Sequence, residues 1–274
     1  MVKKQKSTKG SVKKIDIPVV ILCGGRGTRL KEETEIIPKP LVKIGGYPVL
    51  WHIMKIYRAY GFYNFILPIG YKGEKIKEYF LNYASLQSDF TVDFTRRHRH
   101  IAYHAPVHED WKVTIVDTGL TADTGARIKR IEPYIKHKTF LLTYGDGVAN
   151  VDLRTVLDFH TKNNTIATIT GVHPPARFGE VMFPHKGPVT FKEKPRVADT
   201  YINGGFFVLK KTIFKFFNDD EKLSFEKDVL PRVAGVNQLS VFKHDGYWQC
   251  MDTLRDVEFL NEEWSSSRAQ WKIW

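Results

Sequence analysis

Short apolar runs alternate with longer amphipathic segments along this chain. Residues 17–22 and 64–69 are nearly continuous apolar runs, which are typical of strands buried on both faces of a sheet. Further strands are predicted by apolar or β-branched runs at 112–116, 139–143, 165–172, 189–191, 201–209 and 238–242. Helical spacing of apolar residues predicts helices at 49–60, 73–83, 124–134, 151–162, 212–217 and 225–233. This alternation predicts an α/β fold, with a mostly parallel sheet and helices on both faces.

Composition narrows the class of protein. The chain has 274 residues, of which 42% are hydrophobic and 26% charged, as expected of a globular protein. No apolar stretch approaches the roughly 18 residues of a membrane helix, and the basic N-terminus lacks the apolar core of a signal peptide. The two cysteines, Cys23 and Cys250, form no disulfide framework. We therefore expect a cytoplasmic protein.

Positive charge is concentrated at the N-terminus. The net charge is +12, and six lysines with no acid fall within the first fourteen residues. We expect residues 1–15 to form a disordered basic tail and residues 16–274 to form a single domain. Binding of nucleic acid or of an acidic surface by the tail is the minority interpretation. The remaining positive charge suits polyphosphate ligands.

A glycine-rich turn follows the first predicted strand. The sequence after Leu22 is C-G-G-R-G-T-R-L, with Gly24, Gly25 and Gly27 at the predicted strand end. Such glycines let backbone N–H groups approach an anion, and the fork of Arg29 can bind phosphate oxygens. The pattern is neither G-x-G-x-x-G nor a P-loop. A purely structural turn is the alternative.

One lysine follows this turn between two prolines. Pro38 and Pro40 restrict the backbone on both sides of Lys39. A restricted backbone positions the ammonium with little entropy to lose. Together, the glycines, Arg29 and Lys39 predict a polyphosphate site beyond the carboxyl end of the first strand.

Two aspartates lie in loops far apart in sequence. Asp146 follows the predicted strand at 139–143 in Y-G-D-G, and Asp252 lies in Q-C-M-D-T. Magnesium in a phosphate site takes one or two carboxylates. The alternative for a lone aspartate after a strand is an ordinary turn or cap. The spacing of the two residues does not indicate that they meet.

The segment 96–111 contains four of the ten histidines, together with Tyr103 and Trp111. The spacing of the histidines does not match a metal-binding signature. Because aromatic residues and arginine are enriched at interfaces, we expect a protruding loop or a contact between subunits.

Several ordered motifs resemble the sugar-phosphate nucleotidyltransferases, over residues 18–274. The motifs shared with this group are G-G-R-G-T-R-L and P-K-P. The motifs that resemble the family of glucose-1-phosphate cytidylyltransferases are W-H-I-M-K-I-Y, G-Y-K-G-E-K-I-K-E-Y-F, V-D-T-G, Y-G-D-G-V, F-K-E-K-P, I-N-G-G-F-F-V-L and W-Q-C-M-D-T-L-R-D. The resemblance implies a Rossmann-like nucleotide-diphospho-sugar transferase fold, with a small sugar-binding and C-terminal α+β part.

The resemblance also implies a set of site residues. Catalytic roles would belong to Arg29, Lys39, Asp146 and Lys194. The nucleotide would be bound by Leu22, Gly24, Gly25, Arg26, Gly27, Thr28, Arg29, Lys39, Thr121, Ala122, Arg127 and Gly145. The sugar phosphate would be bound by Gly179, Glu193, Lys194, Asn203 and Gly204, and Mg²⁺ by Asp146 and Asp252. A surface turn is the alternative for the segment containing Glu193 and Lys194.

The implied reaction transfers a cytidylyl group from CTP to α-D-glucose 1-phosphate, giving CDP-glucose and pyrophosphate for deoxysugar and surface polysaccharide synthesis. The attacking phosphate is already an anion, so positioning and charge neutralisation replace general-base catalysis. The alternatives are another triphosphate or phosphorylated acceptor, and a catalytically silent nucleotide-binding relative. The family precedent also implies a homo-oligomer, with no nucleic-acid or membrane partner.

The chain departs from the family pattern near the expected base site. Family members commonly have S-S-M-T-G-G-R where this chain has T-A-D-T-G-A-R. Ala122 offers no hydroxyl, so Thr121 would have to supply one if cytosine is read by a side-chain hydroxyl. Cys23 stands where alanine is usual, and we expect a small, buried and inert thiol.

Overall fold

The computed structural model describes residues 13–27, 30, 34–95, 100–105, 108–174, 180–182, 190–192 and 200–274. Strands in this part of the chain are β1 (Val19–Leu22), β2 (Lys43–Ile44), β3 (Tyr47–Pro48), β4 (Asn64–Ile69), β5 (Asp89–Asp93), β6 (His100–His104), β7 (Lys112–Asp117), β8 (Thr139–Tyr144), β9 (Gly147–Ala149), β10 (Ala167–Val172), β11 (Glu180–Met182), β12 (Thr190–Lys192), β13 (Ile202–Lys210), β14 (Leu239–His244) and β15 (Trp248–Cys250).

Helices alternate with these strands. The α-helices of the described residues are α1 (Val49–Ala59), α2 (Gly73–Leu81), α3 (Tyr83–Gln87), α4 (Thr124–Arg130), α5 (Leu153–Asn163), α6 (Leu230–Gly235) and α7 (Leu254–Ser265). Tighter or wider helical turns are the 3₁₀ segments Lys39–Leu41, Glu132–Tyr134 and Lys211–Phe216 and the π-helix Phe225–Val229. The predicted helix at 212–217 is thus a 3₁₀ segment, and the one at 225–233 is a π-helix that continues into α6.

Within the described residues, seven strands form the central sheet in the order β14-β10-β13-β8-β1-β4-β7. Neighbouring strands are parallel except that β13 runs antiparallel to both β10 and β8. The predicted α/β class with a mostly parallel sheet is confirmed.

The side chains of β1 point alternately into two buried clusters, one on each face of the sheet. Val19 and Ile21 belong to one buried cluster, which also contains Ile53 of α1. Val20 belongs to the other cluster, which contains Ile128 of α4. Because successive side chains of a strand point to opposite faces, helices cover both faces, as predicted.

Strand register aligns the carboxyl ends of the central strands. Leu22 at the end of β1 pairs with Tyr144 at the end of β8, and Ile69 at the end of β4 pairs with Asp117 of β7. The chain segments that follow these strands therefore leave the sheet at one edge. This is the edge at which open α/β sheets bind ligands.

The predicted loop at 96–111 is partly wrong. His100–His104 is strand β6, which pairs antiparallel with β5. Trp111 is packed against the core, with its ring centroid 6.2 Å from that of Phe65. The burial of Trp111 removes one reason for expecting a subunit contact, while residues 96–99 and 106–107 lie outside the described residues.

The predicted boundary between tail and domain stays a prediction, and residues 1–12 lie outside the described residues. The backbone N–H of Ile15 donates to the carbonyl of Gly61 at 2.9 Å, so pairing with the domain includes residue 15. No helix in the described ranges combines the length and apolar character needed to span a bilayer.

Candidate active site

A cleft of about 540 Å³ opens at the carboxyl edge of the central sheet. Its walls come from the segments after β1, β7, β8 and β15 and from the start of β13. The described residues that line it are Leu22, Cys23, Gly24, Gly25, Gly27, Lys39, Pro40, Ala122, Asp123, Thr124, Arg127, Thr143, Tyr144, Gly145, Asp146, Gly147, Asn203, Gly204, Gly205, Trp248, Cys250 and Asp252. The glycine turn thus faces both aspartates across one cavity.

Lys39 lies between the two aspartates. Its Nζ donates to Oδ2 of Asp146 at 2.5 Å and to Oδ1 of Asp252 at 2.6 Å. Burial disfavours the charged ammonium, but the charge of Asp146 and the hydrogen bonds to both carboxylates outweigh this effect. The pKa of Lys39 is therefore raised above its ordinary value of 10.5. The two carboxylates together hold a single cation.

A two-stranded ladder brings the aspartates together. Strand β9 pairs antiparallel with β15, and Gly147 lies opposite Cys250. Beyond this pair, the N–H of Met251 donates to the carbonyl of Asp146 at 2.8 Å. Asp252 follows immediately and is held by its N–H, which donates to Asp256 of α7 at 3.0 Å. Residues more than 100 positions apart thereby meet at one point.

The guanidinium of Arg127 supports the cleft from beneath the glycine turn. This residue on α4 is 5% exposed. Its Nη1 donates to the carbonyl of Ile69 at 3.2 Å, to Oγ1 of Thr118 at 2.9 Å and to the carbonyl of Gly119 at 2.7 Å. Burial and the neighbouring Arg130 lower the pKa of Arg127. This cation therefore fixes the segments after β4 and β7, and it lines the cleft.

Gly24 is packed directly against Arg127, whereas Gly25 is open. A Cβ on Gly24 would lie 2.3 Å from Nη1 of Arg127, but a Cβ on Gly25 would meet nothing within 4 Å. Because hydrogen bonds hold Arg127 in place, we expect Gly24→Ala to displace it and to raise KM for the nucleotide about tenfold. Steady-state kinetics of Gly24→Ala check this, with Gly235→Ala as the control, because a Cβ on Gly235 would also meet nothing within 4 Å and Gly235 does not line the cleft. Equal KM values in the two variants would contradict it.

The opposite wall is built by β13 and β15. Nδ2 of Asn203 donates to the hydroxyl oxygen of Tyr144 at 3.1 Å, and Nε1 of Trp248 donates to the carbonyl of Gly204 at 2.7 Å. Gly205 has a φ of +80° and packs on the ring of Tyr144, where a Cβ would lie 2.5 Å from Cδ2. A side chain at position 205 would therefore collide with that ring.

The structure brings most of the described candidate residues into the cleft. The exceptions are Arg26, which is exposed, and Thr121, whose hydroxyl donates to Oε1 of Glu221 at 2.7 Å. Thr28, Arg29, Gly179, Glu193 and Lys194 lie outside the described residues. Sequence reasoning missed Tyr144 and Trp248 as cleft residues. The position of Tyr144 beside Asp146 in Y-G-D-G was the available signal for that residue.

Both cysteines line the cleft. Cys23 is buried, as predicted, and burial raises the pKa of its thiol, so the neutral form is favoured. Burial and the charge of Asp146 likewise raise the pKa of Cys250. Neither thiol is poised as a nucleophile, since nucleophilic cysteines have lowered pKa values.

A family model described as Nucleotidyl transferase matches residues 18–259. The chain belongs to the nucleotidyl transferase family. This nucleotidyltransferase is 45% identical to the glucose-1-phosphate cytidylyltransferase of Salmonella typhi, over 93% of its own chain and 98% of that relative. It is 43% identical to the probable glucose-1-phosphate cytidylyltransferase of Bacillus subtilis, over 93% and 99% of the two chains. The predicted resemblance is confirmed.

Solved structures show the same architecture. HddC from Yersinia pseudotuberculosis superposes on this nucleotidyltransferase with a TM-score of 0.66 and 27% identity, over 90% of this chain and 99% of HddC. A UDP-glucose pyrophosphorylase complexed with UDP-glucose gives a TM-score of 0.63 at 14% identity, over 93% and 100% of the two chains. The second likeness shows the fold alone, and it confirms the predicted nucleotide-diphospho-sugar transferase fold.

Proposed function

We propose that this nucleotidyltransferase transfers a cytidylyl group from CTP to α-D-glucose 1-phosphate, with release of pyrophosphate. The observation that carries the proposal is 45% identity to a glucose-1-phosphate cytidylyltransferase across nearly the full length of both chains. The cleft supports it, because a glycine turn, a lysine and two aspartates are placed together at the carboxyl edge of the sheet. The product would be CDP-glucose, a precursor for deoxysugar and surface polysaccharide synthesis.

Charge neutralisation is the main task of the site. The attacking oxygen belongs to a phosphate that is ionised at pH 7, so no general base is required. The oxygen attacks the α-phosphorus of CTP and forms a new P–O bond. The bond between the α-phosphorus and the oxygen that bridges to the β-phosphate breaks, and pyrophosphate leaves. Lys39 would stabilise charge on the α-phosphate, and the resemblance adds Arg29 and Lys194 as further cations. Glu193, Asn203, Gly179 and Gly204 would hold the sugar phosphate.

The residues present fit a divalent cation. One ammonium already contacts a carboxylate oxygen of Asp146 and one of Asp252, so both oxygens can reach a common cation. No cluster of three or more His, Cys, Asp or Glu side chains suited to a metal occurs among the described residues. Two carboxylates suit Mg²⁺, which usually fills its remaining positions with water and substrate phosphates. Bound Mg²⁺ would supply positive charge at the phosphates. Asp146 and Asp252 would hold it in place of the ammonium of Lys39, which would contact the phosphates instead.

We also propose a cytoplasmic homo-oligomer. Exposed apolar side chains at Leu81 in α2, Leu86 in α3 and Phe94 directly after β5 offer surface for a subunit contact. Light scattering tests this proposal, and a monomer would contradict it.

A substrate panel tests the proposed function. Pyrophosphate release is measured with CTP, UTP, dTTP and GTP, each with glucose 1-phosphate, other sugar 1-phosphates and polyol phosphates. We expect CTP with glucose 1-phosphate to give the highest kcat/KM. Preference for another pair would contradict the substrate assignment and leave the reaction class intact. Absence of turnover with every pair would favour a silent nucleotide-binding relative.

A further inference from the structure

The carboxylate of Glu226 joins elements on two walls of the cleft. Glu226 is partly buried on the π-helix Phe225–Val229 and is not among the described residues that line the cleft. Its Oε1 accepts a hydrogen bond from the hydroxyl of Tyr144 at 2.6 Å. Its Oε2 accepts hydrogen bonds from the hydroxyls of Thr124 at 2.6 Å and Ser224 at 3.2 Å. Tyr144 and Thr124 both line the cleft.

The direction of these hydrogen bonds is fixed by their other partners. The hydroxyl oxygen of Tyr144 accepts from Nδ2 of Asn203 at 3.1 Å, and that of Thr124 accepts from the N–H of Phe225 at 2.9 Å. Each hydroxyl has one hydrogen, and each directs it to Glu226. The network therefore requires an acceptor at both Oε atoms, which a carboxylate provides and an amide does not.

Asn203 is oriented by the same network. Its Nδ2 faces Tyr144, while its Oδ1 accepts from the N–H of Gly205 at 2.9 Å. Gly205 in turn packs against the ring of Tyr144. These two hydrogen bonds fix the orientation of the Asn203 amide at the cleft.

Thr124 connects Glu226 to the nucleotide wall. It is the first residue of α4, the helix that carries Arg127. The hydrogen-bonded series Thr124–Glu226–Tyr144–Asn203 thus runs from the wall with Arg127 to the wall with the expected sugar-phosphate residues. A carboxylate behind the cleft holds one side chain on each wall.

We propose that Glu226 is a positioning residue that acts through Tyr144 and Thr124, and that it fixes Asn203 for the phosphorylated acceptor relative to the nucleotide wall. The assignment of the acceptor to Asn203 rests on the proposed function. Glu226 itself needs no contact with substrate. Its π-helix is consistent with this role, because such turns often occur at functional sites.

Kinetics of three variants and a control test this inference. Tyr144→Phe removes the hydroxyl that joins Glu226 to Asn203, so we expect KM for glucose 1-phosphate to rise about tenfold and KM for CTP to stay within about threefold. Glu226→Gln leaves one of the two hydroxyls without an acceptor, and we expect the same rise in KM for the acceptor. Both changes break the same connection. We therefore expect KM for glucose 1-phosphate in the double variant to be no more than about twofold above that of the more impaired single variant.

Asp228→Asn is the matched control. Asp228 lies on the same π-helix, accepts from the N–H of Ser224 at 2.7 Å and is not among the described residues that line the cleft. We expect both KM values of this variant to stay within about twofold of wild type.

Several outcomes would overturn the inference. One is an unchanged KM for the acceptor in folded Glu226→Gln. Another is a double variant whose rise in KM for the acceptor equals the product of the two single rises. A lowered melting temperature with unchanged KM values would assign Glu226 to stability alone. Wild-type turnover is measured first, and its absence with CTP and glucose 1-phosphate contradicts the proposed function instead. The variants are compared with the triphosphate and acceptor that the wild type uses.

Discussion

Replacing Lys39 by alanine is expected to lower kcat by roughly 10²–10³ while the protein stays folded. The ammonium of Lys39 is the cation that the structure places between Asp146 and Asp252, next to the glycine turn. In the proposed reaction two anions are forced together, and loss of this charge leaves their repulsion uncompensated. Pyrophosphate release under saturating substrates measures the effect, and circular dichroism reports the fold.

The matched control for this variant is Lys43→Ala. Lys43 is exposed on β2, four residues along the same segment, so its removal changes the net charge equally. We expect its kcat to stay within about twofold of wild type. Comparable rates for Lys39→Ala and Lys43→Ala would refute a catalytic role for Lys39.

Asp146→Asn is expected to abolish magnesium-dependent turnover, with a fall in kcat/KM of at least about 100-fold. A neutral amide binds a divalent cation more weakly than a carboxylate does, and Asp146 supplies one of the two carboxylates that face the shared cation position. The initial rate is titrated with Mg²⁺, and binding of Mn²⁺ in the presence of CTP is measured separately by electron paramagnetic resonance. The second measurement reports on the metal without requiring turnover.

Asp158→Asn serves as the control for this experiment. Asp158 is exposed on α5, and its replacement by asparagine removes the same charge. Its magnesium titration and its Mn²⁺ binding should match those of wild type. If Asp146→Asn also kept wild-type Mn²⁺ binding, Asp146 would be excluded as a ligand.

Sequence patterns predicted the inner strands β1 and β4 well because these strands are buried on both faces of the sheet. The five apolar residues of β4, and the apolar residues of β1, leave no other efficient way to bury their side chains. An apolar run does not indicate whether a strand is parallel or antiparallel to its neighbours, so the direction of β13 could not be predicted from its residues. The antiparallel course of β13 is set by its tertiary pairing with β8 and β10.

The final helix could have been predicted but was missed. Thr253 and Asp256 form a reciprocal capping box at the start of α7, with the spacing Thr-x-x-Asp. This signal was overlooked because the segment reads as a loop around Asp252. The β5–β6 hairpin was also missed, although Phe90 and Val92 of β5 alternate with polar residues and lie opposite Tyr103 and Ile101 of β6.

The candidate site could be predicted only where its residues lie close together along the chain. The glycine turn and Lys39 lie close together along the chain, so their residue types alone suggested an anion site. The approach of Asp252 to Asp146 depends on the β9–β15 ladder, and Glu226 reaches the cleft through Tyr144 from a separate helix. Contacts between residues so far apart in sequence form only when the tertiary fold forms, and they leave no spacing pattern in the sequence.

A crystal structure with CTP and Mg²⁺ bound tests the central claim most directly. We expect the triphosphate to lie against Gly24, Gly25 and Gly27, with Lys39 in contact with its phosphates and with the metal on Asp146 and Asp252. A triphosphate bound elsewhere on the protein, with that turn and Lys39 free of ligand, would contradict the account.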